Sequence, residues 1–206
     1  NFLIKLTIFK HFCGGETIFE SSKTIDKLWK SSIGTILDYS AEGQENEEDF
    51  KDVYEETLKV LDIAKNNPKI PFVVFKLTGL IQFNILKKLS DKEKLSEDEN
   101  SSLMKLNKRL NTICNKAKDI NKPIFIDAEE SWIQDGIDDL VFSLMKQFNK
   151  EKVLIFNTVQ MYRHDRLAYL MNLSQIAQEE GFKIWLKIVR GAYHEKEIER
   201  ALEKGY

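Results

Sequence analysis

Several short apolar runs in this chain end directly in residues able to do chemistry. Lys76 follows 71–75, Asp127 follows 123–126 with Glu129 and Glu130 close behind, and Gln160 and Tyr162 follow 153–158. Arg190 and Tyr193 follow 183–189, and Asp38 follows 35–37. A lysine between Phe75 and Leu77 is costly in a strand unless it faces a polar cavity or snorkels at a strand edge. In a cavity it offers a cation for an anionic ligand or, if deprotonated, an amine nucleophile. Three carboxylates at 127, 129 and 130 repel one another unless cations, a ligand or a helix N-terminus faces them. Strand alternation puts Asp127 and Glu129 on one side. The Gln160 amide can both donate to and accept from the edge of a heterocycle, although polar turn residues at a surface have the same composition. In Lys187-Ile188-Val189-Arg190-Gly191-Ala192-Tyr193, two cations flank a β-branched pair, and Gly191-Ala192 lets a backbone approach closely before an aromatic ring.

The elements between these residues alternate. Apolar runs at 35–37, 71–75, 123–126, 153–156 and 183–189 read as strands. Amphipathic helices are expected over 47–66 and from Ser96, where Glu99 completes a capping box and Leu103, Leu106, Leu110 and Ile113 form the stripe. Two more carry the stripes Ile137, Leu140, Val141, Leu144, Phe148 and Leu167, Leu170, Met171, Ala177, ending at Asn149 and Gly181. The polar stretch 90–102 reads as an exposed insertion. Alternating strands and helices imply parallel strands joined by crossover helices. Chemistry at the carboxyl ends of such strands is the pattern of a (β/α)8 TIM-like barrel, of which about five βα units are present here. An open, doubly wound sheet is the competing arrangement. The expected organisation is part of one barrel domain over 1–206, with a helical lead-in at roughly 1–33 and barrel units over 34–206.

With 206 residues, 42% of them apolar, and a net charge of −2, the chain can form one sizeable core and has no strong electrostatic pull toward nucleic acid. Cys13 and Cys114 form no CxxC pair and are expected as free thiols. The three histidines lack metal-ligand spacing, so no metal is expected. Gly14-Gly15-Glu16-Thr17 reads as a turn. No GxGxxG, P-loop or G-x-S-x-G pattern occurs. No apolar run reaches membrane-spanning length, and the apolar start reads as the interior of a longer chain rather than a signal peptide.

Taken in order, six stretches resemble the proline dehydrogenase family. They are Phe12-Cys13-Gly14-Gly15-Glu16-Thr17, Ile36-Leu37-Asp38-Tyr39-Ser40-Ala41-Glu42-Gly43, Phe75-Lys76-Leu77-Thr78-Gly79, Ile126-Asp127-Ala128-Glu129-Glu130, Gln160-Met161-Tyr162 and Val189-Arg190-Gly191-Ala192-Tyr193. The chain looks closer to the single-activity enzymes of bacteria and mitochondria than to the long bifunctional ones. The resemblance implies a distorted (β/α)8 barrel that binds FAD and oxidises L-proline to Δ1-pyrroline-5-carboxylate, the first step of proline catabolism, by hydride transfer to flavin N5. It implies Lys76 as the active-site lysine, Asp127 as the aspartate ordering the substrate pocket and Tyr193 as the aromatic against the substrate ring. Gln160 matches the glutamine bonded to the flavin ring, and Lys187 stands where the bifunctional enzymes carry an arginine near N5, keeping charge without the bidentate fork. Glu129 is grouped with these two as cofactor-binding. Glu42 matches the acidic half of an ion pair that gates the substrate pocket, and His194 stands where relatives carry Trp or Met.

By the same resemblance, electrons pass to a membrane quinone. The protein is then expected to be cytoplasmic and peripheral to the inner membrane, on the matrix side in a mitochondrion. The tandem arginines that hold the proline carboxylate in this family fall beyond Tyr206, so this segment alone is expected to bind FAD weakly and to turn over little proline. Two other readings of the residues are a barrel lyase forming a Schiff base on Lys76, and a non-catalytic fragment.

Overall fold

The computed structural model describes residues 13–15, 17–39 and 44–205. A lead-in helix α1 (Ile18–Trp29), capped by the Thr17 hydroxyl on the Glu20 amide, precedes the first strand region. In that region, among the described residues, Leu37 alone pairs, in a parallel bridge with Val73. Helix α2 (Glu47–Ala64) follows, then strand β1 (Val73–Phe75), a 3-10 turn (Leu77–Gly79), and helices α3 (Phe83–Ser90) and α4 (Glu97–Asp119). Strand β2 (Ile124–Ile126), α5 (Ser131–Phe148), β3 (Ile155–Gln160), α6 (Arg166–Glu180), β4 (Leu186–Val189) and α7 (His194–Lys204) complete the order.

The four strands are parallel and lie in the order β1-β2-β3-β4. Each strand neighbours the next in sequence and the order never reverses. Among the described residues the sheet shows no topological switch point, which favours the barrel arrangement over the doubly wound one. The fold is α/β and winds in one direction, as a TIM barrel does, through an arc of four strands plus the Leu37 bridge among the described residues.

Alternation divides the sheet into two faces. Val73, Phe75, Ile124, Ile126 and Ile155 pack into the apolar cluster formed with Leu61, Leu86, Leu110, Ile113, Ile137 and Val141 of the helices. The opposite face carries an aromatic strip: Phe72 stacks on Phe125 at 4.3 Å, Phe125 meets Phe156 edge-on at 5.0 Å, and Phe156 meets Trp185 at 5.8 Å. Helices α3 and α5 approach so closely at Gly136 that a Cβ there would come within 2.8 Å of the Leu86 carbonyl oxygen. Cys114 is a buried free thiol, pushed up to about 12 by desolvation, and Cys13 is an exposed one.

Three local expectations change. Helix α3 occupies Phe83–Ser90, and α4 starts at Glu97, so the polar insertion shrinks to a short loop. The capping box at Ser96 and Glu99 is present as expected. Strand β3 runs on to Gln160 rather than stopping at Phe156, because Asn157 and Thr158 find partners on opposite faces of the sheet. Helix α6 buries Arg166, Leu173 and Ala177 and exposes Leu167 and Met171. An arginine paired with an aspartate, rather than an apolar stripe, directs its inner face.

Candidate active site

Residues of one register row converge on the non-helical face of the sheet. Thr158 lies opposite Lys187 in the β3–β4 pairing. The β1–β2 and β2–β3 registers, continued by one residue, place Lys76 opposite Asp127 and Asp127 opposite Thr158. Lys76, Asp127, Thr158 and Lys187 thus form one layer above the aromatic strip, all reached by the two-residue period of their strands. Gln160 and Val189 form the layer above. These six side chains, with Ala128, Arg190, Gly191, Ala192 and Tyr193, line a cavity of about 410 Å3, within the range of small-molecule and cofactor pockets.

Charge in the row is ordered. The Lys187 ammonium donates to Asp127 Oδ1 at 2.6 Å, and the Thr158 hydroxyl donates to the same oxygen at 3.2 Å. The Lys187 ammonium also lies 5.8 Å from the Phe125 ring centroid. Asp127 is therefore an anchored anion flanked by a cation and a hydroxyl, and Lys76 brings a second cation into the same cavity. Gln160 is buried. Its Nε2 donates to the Glu129 carbonyl, and its Oε1 is buried with no hydrogen-bond partner among the described residues. A buried acceptor without a donor costs roughly 1–3 kcal/mol, so a ligand with an N–H or O–H suits this point of the cavity wall.

The far wall depends on Gly191, at φ +127°. A Cβ there would overlap the Tyr162 ring, so glycine is required both by conformation and by this contact. The Tyr162 hydroxyl donates to Glu197 of α7 at 3.0 Å, and burial is the first cause of its raised pKa. Glu197 also accepts from the Ser131 amide at 3.0 Å and hydroxyl at 2.8 Å, which caps α5. Lys196 pairs with Glu130, and the Arg200 guanidinium lies 4.5 Å from the Trp132 ring centroid. Through these contacts α7 is bound to the start of α5, and Tyr193, at the N-cap of α7, is set at the cavity rim.

Of the residues expected from sequence, Lys76, Asp127, Gln160, Lys187 and Tyr193 line one cavity. Glu129 does not. The chain leaves the strand after Ile126, the two-residue period ends, and the Glu129 carboxylate turns to Thr78, accepting from its amide at 3.1 Å and from its hydroxyl. His194 begins α7 away from the cavity lining, and Tyr162 supports the wall from behind. Glu42, expected as the gate, lies outside the described residues. Thr158 was missed: it follows Phe156 by one period, and reading β3 two residues further would have found it. Thr78 and Glu197 act across 51 and 66 residues of sequence, and no local pattern announces them.

A family model described as proline dehydrogenase matches residues 21–206. The carbapenem antibiotics biosynthesis protein CarD of Pectobacterium carotovorum subsp. carotovorum is 32% identical over 90% of this chain and 50% of its own length. Proline dehydrogenase 1, mitochondrial, of Dictyostelium discoideum is 34% identical over 98% of this chain and 42% of its own. The chain thus spans about half the length of these relatives or less. The crystal structure of proline utilization A (PutA) from Bdellovibrio bacteriovorus inactivated by N-propargylglycine superposes with a TM-score of 0.81 at 20% identity, covering 98% of this chain and 22% of that one. That likeness shows the fold to be shared. Matched by the family model from residue 21 to residue 206, the chain belongs to the proline dehydrogenase family.

Proposed function

We propose that this chain carries part of the active site of an FAD-dependent enzyme that oxidises L-proline to Δ1-pyrroline-5-carboxylate, within a single barrel domain. The observation that carries the reading is the row Lys76, Asp127, Thr158 and Lys187 with Gln160 above it, gathered in one cavity of a chain from this family.

The residues present fit a flavin. Gln160 has a buried acceptor without a partner among the described residues, and the isoalloxazine imide is an N–H donor. Lys187 is the cation beside it in the wall, suited to negative charge that grows on a ring as it is reduced. Gln160 and Lys187 would therefore hold the ring. When bound, FAD supplies the hydride acceptor, chemistry no side chain can provide. Asp127 orders the pocket by fixing Lys187 and Thr158, and Lys76 offers positive charge to a substrate carboxylate or to the ring. Tyr193 presents an aromatic face at the rim, where a five-membered ring can pack while water is excluded. Among the described residues no helix is long and apolar enough to cross a membrane. We propose peripheral association with the membrane that holds the quinone acceptor: the inner membrane, on the matrix side in a mitochondrion.

The test is anaerobic addition of L-proline to the full-length protein carrying FAD. The expected result is bleaching of the flavin absorbance, and a flavin affinity that falls roughly 10- to 100-fold in Gln160→Leu, in keeping with one buried hydrogen bond. A protein that takes up no flavin but forms a borohydride-trapped adduct on Lys76 with a carbonyl compound would overturn this reading in favour of Schiff-base chemistry.

A further inference from the structure

Lys76 occupies the N-cap position of the 3-10 turn that follows β1, and its side chain makes no capping bond there. The turn nevertheless needs a cap. Its first amides have no acceptor within the turn, and the Phe75 carbonyl that Thr78 N–H would otherwise reach accepts from Asp127 N–H at 3.1 Å. Glu129 supplies the missing acceptor from the next βα loop. One carboxylate oxygen takes the Thr78 amide at 3.1 Å and the other takes the Thr78 hydroxyl.

Glu129 is itself held at its backbone. Its amide donates to Gln134 Oε1 at 2.9 Å, and its carbonyl accepts from Gln160 Nε2. Gln134 in turn donates to Asp138 at 2.9 Å, which accepts from Asn157 of β3 at 2.9 Å and from Arg166 of α6 at 2.7 Å. The carboxylate is therefore a fixed point braced against β3, α5 and α6, and the turn carrying Lys76 is fastened to it. We infer that Glu129 is a positioning residue for Lys76: by capping the turn at Thr78 from a distance, it leaves the N-cap lysine to serve the cavity instead of the cap. The division of labour explains why a residue poor at capping stands at an N-cap. It also replaces the expected cofactor contact of Glu129 with an indirect role, one that deepens the function proposed above and rests on it only where turnover is measured.

The experiment follows Lys76 itself in the full-length protein. Reductive methylation with an isotopic label gives each lysine an NMR signal, and that of Lys76 is assigned by its loss in Lys76→Arg. Thr78→Val removes the hydroxyl bond, Glu129→Ala removes the acceptor, and Glu129→Gln keeps an acceptor for the Thr78 amide. The Lys76 signal is expected to shift and broaden in Thr78→Val and Glu129→Ala, and to return toward wild type in Glu129→Gln. With L-proline, kcat is expected to fall roughly 10- to 100-fold in the first two variants, the scale of a misplaced catalytic group. KM should move by less than about threefold, and Glu129→Gln should recover most of the loss. If Glu129→Ala does not fold, Thr78→Val decides the matter with the carboxylate still in place. An unmoved Lys76 signal in Thr78→Val overturns the inference. So does a tenfold loss of flavin affinity in Glu129→Gln with the signal unmoved, which would put the carboxylate against the cofactor. Absence of proline oxidation in the wild type would remove the proposed function and leave the Lys76 signal to judge this inference alone.

Discussion

At the scale of single residues, Asp127 and Glu129 show how burial and partners separate two neighbouring carboxylates. Asp127 meets a cation at 2.6 Å. Glu129 is buried against a threonine, and desolvation pushes its carboxyl up from 4.5 to about 7, with the Thr78 bonds and Lys76 pulling the other way and Glu130 adding to the rise. A carboxyl that holds its proton more tightly when folded adds stability at low pH. That stability is complete below the unfolded value near 4.5 and is lost as pH rises through the folded value near 7. Glu129→Gln cannot titrate, so relative to wild type it should gain about 2–3 kcal/mol between about pH 5 and pH 8, measurable by denaturant unfolding at each pH. Gly191 offers a second test. Alanine there must adopt a positive φ and displace the Tyr162 ring, so Gly191→Ala is expected to cost roughly 1–3 kcal/mol. The same variant should loosen the cavity wall that Tyr193 completes, read as a drop in flavin affinity.

At the scale of elements, the two ends of the sheet divide stability from function, as in barrels generally. At the amino ends of the strands, the fully buried Asn149 after α5 staples β3 and the run into β4. Its Nδ2 donates to the carbonyls of Ile155 at 2.7 Å and Lys183 at 3.1 Å, and its Oδ1 accepts from the amides of Leu154 and Ile155, both at 2.9 Å. Asn149→Ala strips partners from four backbone groups and should cost about 3 kcal/mol or more, seen as a lowered denaturation midpoint. It lies at the end opposite the cavity, so flavin affinity in the folded fraction should not change. At the carboxyl ends, the Asp138–Arg166 pair braces β3 against α5 and α6, and desolvation raises the Asp138 carboxyl even with Asn157, Gln134 and Arg166 bonded to it. Removing Arg166 alone would leave that carboxylate buried and unpaired, the costly half of such a change. Arg166→Met is thus expected to destabilise more than Arg166→Met combined with Asp138→Leu.

At the scale of the molecule, the sheet is an arc in which, among the described residues, β4 pairs on one side only, with β3. Trp185 is 62% exposed on the cavity face of that strand region and Ile188 66% exposed on the helical face, while α7 shows Leu202 and α6 shows Leu167 and Met171. An unpaired strand flanked by apolar side chains is a template for association. The 206-residue chain by itself is expected to self-associate at micromolar concentration by analytical ultracentrifugation, and Ile188→Lys should reduce that association. The chain covers 50% and 42% of the length of two of its relatives.

What the residues alone determined was local or periodic. The apolar runs ending in Lys76 and Asp127 announced two residues of the cavity, the Ser96 and Glu99 spacing announced its capping box, and the order of six short stretches pointed to the family. These are readable because a strand's period and a helix's first turn are set by backbone geometry within a few residues. Tertiary structure decided the rest. It settled the sequential strand order, the extension of β3 that brings Thr158 into the row, the helix at Phe83–Ser90, and the turning of Glu129 from the cavity to Thr78. The physical reason is that each of these rests on partners far away in sequence. A carboxylate's direction follows the donor it meets after folding, and 51 residues separate Glu129 from that donor.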